Sequence, residues 1–110
     1  MKIEDIRKAF LHNVPIEYTA HCQKRMLERD ILRTDIKNCI LYGEIIEDYP
    51  LELGNLSEKS LPSCLILGLK ANKREMIHVV VGFNGKKILV ISACYPDRIH
   101  WMEDNKTRRT

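Results

Sequence analysis

The chain has 110 residues, 45% of them hydrophobic, which suffices for one core and not for two, so a single domain over residues 1–110 is expected. Its net charge of +3 is too small to imply tight non-specific binding to nucleic acid. No apolar run approaches a membrane span, and Met1 to Phe10 carries charges at Lys2, Glu4, Asp5, Arg7 and Lys8 in place of an export signal, so a soluble cytoplasmic protein is expected.

Ile3, Ile6, Phe10 and Val14 recur at helical spacing and predict a first amphipathic helix over residues 2–12, which Pro15 stops. Thr19 is placed to cap a second helix over about residues 20–30 that buries Cys22, Met26 and Leu27. A third helix starts at Thr34-Asp35, with Ile36, Cys39 and Ile40 at i, i+3 and i+4, and Gly43 stands where a left-handed C-terminal residue is wanted. Beyond Gly43 the period changes to 2. Glu44 to Tyr49 predicts a short strand, residues 51–60 a polar loop, and Leu65 to Leu69, Met76 to Phe83 and Lys87 to Ala93 three stronger strands. Asn84-Gly85 between the last two is a hairpin signal that makes them antiparallel neighbours. The expected architecture is α+β: three N-terminal helices (1–43) packed on an antiparallel meander of about four strands (44–95), then a basic C-terminal tail (96–110).

Charge is unevenly spread, at +2 over residues 1–43, −4 over 44–69 and +5 over 70–110, so an anionic partner is expected to meet the second half. Cys22, Cys39, Cys64 and Cys94 have no C-x-x-C spacing, and no metal or nucleotide signature is present, so buried free thiols and no cofactor are expected.

Three features carry candidate chemistry. Thr19, His21, Arg25, Met26, Arg29 and Ile31 form T-x-H-x-x-x-R-M-x-x-R-x-I, which sets His21, Arg25 and Arg29 four residues apart on one helical ridge. Guanidinium forks pair with phosphate or carboxylate, and an imidazole exchanges protons near neutral pH. An ordinary solvated helix face shows the same composition. His78 interrupts an apolar strand on the face opposite Ile77, Val79, Val81 and Phe83, either as a hydrogen-bonded core histidine or as the centre of a shallow groove with Arg74 near the strand start. Tyr95 and Trp101 flank Arg98 and His100 in the tail, a mixture that suits single-stranded nucleic acid and equally suits a tryptophan that fixes the terminus to the core.

The run Thr19-Ala20-His21-Cys22 through Arg25-Met26 and Arg29-Asp30-Ile31, then Gly43-Glu44-Ile45-Ile46 with Tyr49-Pro50, His78-Val79-Val80-Val81, Val90-Ile91-Ser92, Pro96-Asp97 and Trp101, resembles the bacterial domain-of-unknown-function family 4258 over residues 18 to about 109. That family is in turn similar in size and layout to the RelE/ParE-like toxins, small cytoplasmic proteins that cleave messenger RNA or bind gyrase. The resemblance implies a RelE-like fold and a toxin-like RNA endonuclease neutralised by a small zinc-finger-type antitoxin. It implies His21, Arg25, Arg29, His78 and Trp101 as motif residues. The family often has a tyrosine where this chain has Cys94, and the shift to Tyr95 moves the phenol to the other face of the strand.

Cleavage of RNA by its own 2′-hydroxyl needs a base, an acid and cations, which His21 and His78 with Arg25, Arg29 or Arg98 would supply if the two imidazoles meet. Two other readings compete. One is a non-catalytic RNA-binding or protein-interaction module. The other is a structural ridge with Arg25 or Arg29 paired to Glu47 or Asp48.

Overall fold

The computed structural model describes residues 1–49 and 61–110, so the expected polar loop at 51–60 lies outside the described residues. The elements are α1 (Ile3–Leu11), β1 (Ile16–Tyr18), α2 (Ala20–Arg29), α3 (Arg33–Tyr42), β2 (Glu44–Tyr49), β3 (Ser63–Leu69), β4 (Met76–Phe83) and β5 (Ile88–Cys94). Three helices and an α+β layout follow the periodicity. The sheet corrects the expected four-stranded antiparallel meander, because it has five strands in the order β1-β5-β4-β3-β2 and is mixed. The added strand, β1, runs parallel to β5, with Tyr18 opposite Val90.

Each helix end has a local cause. Thr19 Oγ1 accepts from the Cys22 amide at 3.0 Å, so α2 begins at a side-chain cap. It ends at Asp30, whose left-handed φ of 54° lets the Ile31 amide reach back to the Met26 carbonyl. Asp35 Oδ2 accepts from the Leu32 amide at 2.8 Å, so α3 starts at Arg33 and not at Thr34. Gly43 is not left-handed, with φ −82°. Its lack of a side chain serves close packing, since a Cβ there would lie 2.6 Å from the Leu67 carbonyl oxygen. Gly68 meets the same need, because a Cβ would stand 2.8 Å from Cys39 Sγ.

All three helices cover one face of the sheet. Ile6, Cys22, Met26, Ile36, Cys39 and Ile40 pack there on Ile66, Ile77, Val79, Val81, Ile88 and Val90. Cys22, Cys39 and Cys64 are buried in this core, and burial pushes the Cys39 thiol up to about 12 and that of Cys64 to about 11, so both stay protonated. Leu27 does not join them. It is 86% exposed, and with Leu32 it edges a groove of about 300 Å³ between α2 and α3.

The opposite face is covered by the C-terminal residues. Val80, His78 and Gly82 of β4 lie across from Leu65, Leu67 and Ser63 of β3, and Glu47 of β2 lies across from Leu65. Leu65, Leu67, His78 and Trp101 are all buried on this side. The expected tail is therefore packed against the sheet.

Candidate functional site on the helix-free face

The helix-free face draws a carboxylate, an imidazole and two cations from segments far apart in the chain. Glu47 sits just past a register shift in β2, and Arg108 grips both its oxygens, Nε to Oε2 at 2.6 Å and Nη2 to Oε1 at 2.8 Å. The Tyr49 hydroxyl donates to the same carboxylate. Lys106 Nζ reaches Glu44 Oε1 at 2.8 Å on the same strand. The basic tail thus spends two of its charges on the acidic strand, where the sequence suggested an external anion.

His78 is 2% exposed, with Nε2 donating to the Asn105 carbonyl at 2.6 Å and its ring meeting Trp101 edge-on at 4.5 Å between centroids. Arg108 completes the layer, its guanidinium carbon 4.5 Å from the Trp101 ring centre. Burial lowers the proton affinity of His78 below the usual histidine range, with the Asn105 carbonyl and the Glu47 charge opposing it. The Arg108 fork holds the Glu47 carboxyl below the usual carboxylate range.

The lowered His78 value has a sign that experiment can check. Below about pH 6.5 the unfolded chain takes up a proton that the folded protein refuses, so the unfolded state gains stability as pH falls. The stability held above pH 6.5 is lost as pH falls through the lowered folded value. Melting temperature should therefore drop between pH 7.5 and pH 5, above the range where carboxylates titrate, and His78→Gln should flatten that dependence. A melting temperature unchanged over this window in the parent protein would contradict it.

The ridge residues lie on the other side of the sheet. His21 is exposed in the first turn of α2, in the helix layer, so the two imidazoles do not share a pocket and the expected His21–His78 pair is corrected. Arg25 pairs with Glu28 on its own helix at 2.9 Å, not with the acidic strand. Arg29 Nη1 donates to the Ala93 carbonyl at 2.8 Å, and Thr19 Oγ1 to the Ile91 carbonyl at 3.1 Å. These donors continue the edge pairing of β5 beyond the point where β1 ends, so part of the motif is an edge cover for the sheet. Arg29 also stands close enough to Cys94 to oppose the rise that burial imposes on its thiol, and Cys94 is the register partner of His78. Arg29 and His78 therefore approach the same end of β5 from two sides.

The remaining expected residues are placed simply. Arg74 is exposed in the β3–β4 turn. Arg98 holds the C-terminal segment together, Nη1 bonding to Asn105 Oδ1 at 2.6 Å and to the Met102 carbonyl at 3.2 Å. Tyr95 faces away from His78. Its hydroxyl donates to the Arg29 carbonyl at 2.9 Å and accepts from buried Lys70 at 2.8 Å, which ties the end of α2 to the β3–β4 turn. Asn105 and Arg108 do not stand out in the sequence, which offers Tyr49 only within the family run and Glu47 only as a partner for Arg25 or Arg29. The one signal for the Glu47–Arg108 pair is charge, a −4 block ahead of a +5 block.

Among the described residues, no three His, Cys, Asp or Glu side chains gather as metal ligands, and no helix is long and apolar enough to cross a membrane. Comparison with curated proteins and with solved structures finds no match. The family model described as Domain of unknown function (DUF4258) matches residues 18–95, and the chain belongs to that family.

Proposed function

We propose that this protein is a toxin-like endoribonuclease whose reacting groups are Glu47 and His78 on the helix-free face. The observation that carries the reading is the placement on one sheet face of a carboxylate from β2 and an imidazole from β4. They are linked through Arg108, which grips Glu47 and stacks on Trp101, and Trp101, which packs on His78. In the reaction, Glu47 takes the proton of an RNA 2′-hydroxyl, and O2′ attacks the adjacent phosphorus. The P–O5′ bond breaks, and His78, whose proton affinity the negative charge of the bound phosphate raises, gives its proton to O5′. The products are a 2′,3′-cyclic phosphate and a 5′-hydroxyl. Arg98, exposed on the C-terminal segment beside this face, is a cation that draws the RNA phosphates toward it. By resemblance to the RelE/ParE-like toxins, the proposal extends to a cytoplasmic toxin–antitoxin pair with a small zinc-finger-type partner.

A single-stranded RNA oligonucleotide should be cut to 5′-hydroxyl ends by the purified protein, and one 2′-deoxy substitution at the scissile nucleotide should block the cut. Intact RNA throughout, with harmless expression in cells, would overturn the reading. A second reading, the non-catalytic RNA-binding or protein-interaction module, is favoured by one observation: Asn105 and Arg108 already occupy His78 Nε2 and both Glu47 oxygens. RNA that is bound and left whole would select it.

A further inference from the structure

We propose that residues 97–110 form an autoinhibitory strap, clasped to the sheet by the Lys106–Glu44 and Arg108–Glu47 ion pairs and displaced by single-stranded RNA. The inference rests on the endoribonuclease reading above, and adds to it the control of access to the site.

The strap is a body with its own internal bonding. Asp97 Oδ1 accepts from the amides of Ile99 and His100, and Asp104 Oδ1 from those of Lys106 and Thr107. Met102 and Thr107 join across the fold-back at 2.8 Å, and the Arg109 amide meets the His100 carbonyl at 2.9 Å. Held together this way, it can leave the sheet without unravelling. It also lies beyond the family-matched residues 18–95, while Glu47 and His78 lie within them.

Its contacts with the sheet fall on the reacting groups. Arg108 takes both oxygens of Glu47, the Asn105 carbonyl takes Nε2 of His78, and the Trp101 ring covers the imidazole. With the strap in place, neither group is free to exchange a proton with a substrate. The clasps are also weak. The Lys106 and Arg108 side chains are about half exposed, so each pair is screened by water and open to exchange. A chain of phosphates competes with Glu44 and Glu47 for these cations, since Lys106, Arg108, Arg98 and Arg109 all sit on the strap. Once the strap has lifted, the Trp101 ring offers a stacking surface to a base.

Trp101 is the chain's one tryptophan, so its emission reports the strap without reference to activity. The test compares the full-length parent with the double variant Lys106→Ala, Arg108→Ala, using a single-stranded RNA oligonucleotide. Loss of both clasps should shift Trp101 emission to the red and raise the cleavage kcat by about 5- to 30-fold, the factor that two such pairs are worth. A red shift with kcat unchanged or lowered, in a parent that cleaves, would overturn the strap and leave the endoribonuclease standing. An unshifted emission would also overturn it, because the two pairs would then not be the clasp. A red shift with no cleavage by either protein would overturn the endoribonuclease reading itself.

Discussion

Glu47→Gln lowers the rate of RNA strand cleavage by about 10²- to 10⁴-fold, the range one proton-transfer group contributes. Glutamine keeps the size of the side chain and one acceptor for Arg108, so β2 and the sheet register are retained and the loss falls on chemistry. The same substitution removes the charge that holds Arg108 on the acidic strand, and so loosens the strap. Removing Arg108 loosens it too. Under the proposed arrangement the two halves of one ion pair then act in opposite directions, Glu47→Gln slowing cleavage and Arg108→Ala speeding it. A purely structural pair would give both variants the same sign, with equal loss of stability. The measurement is single-turnover cleavage with each variant at equal folded fraction, checked by circular dichroism. A Glu47→Gln variant that cleaves at the parent's rate would remove Glu47 from the reaction.

Local periodicity made most of the fold legible. Met76 to Phe83 is an apolar, β-branched run broken only by His78 and Gly82 and forms β4 with those bounds, and the helical repeat of Ile36, Cys39 and Ile40 places α3. β1 escaped because three residues between Pro15 and Thr19 are too few to show a period, and its partner β5 is some seventy residues away. Leu27 was misplaced for an angular reason. Cys22 and Met26 stand one turn apart and face the core, while Leu27 lies a further 100° round the helix, away from it. The site was half legible. His78 was visible as one polar residue in an apolar strand, but what it meets is the carbonyl of Asn105 and the ring of Trp101, contacts that no local pattern encodes. Glu47 and Arg108 are 61 residues apart, and only the summed charge of two blocks hinted that they would pair. The ridge was a true pattern whose use is mixed: Thr19 and Arg29 serve the exposed edge of β5, and His21 is left to solvent.

Trp101→Ala should cost about 3–5 kcal/mol of stability, the range for emptying a buried aromatic site. Trp101 is 6% exposed, and beneath the strap lie Leu65 at 5% and Leu67 at 3%, which together form a second apolar layer on the side of the sheet away from the helices. Losing the indole also takes the edge-on partner from His78 and the ring beneath Arg108. The residual cavity opens toward solvent, so water enters, and the desolvation that lowers the proton affinity of His78 is relieved. Two readouts follow. Melting temperature falls by about 15 °C or more for a chain of this size, and the His78 imidazole titrates closer to its ordinary value of 6.5 when followed by NMR. Trp101→Phe keeps an aromatic ring over the imidazole and recovers more than half of the loss. The two readouts separate cause from general damage, because a core variant such as Ile77→Ala lowers the melting temperature without moving the His78 titration. A loss below about 1 kcal/mol for Trp101→Ala would place the segment off the sheet in solution, and the cover over Glu47 and His78 with it.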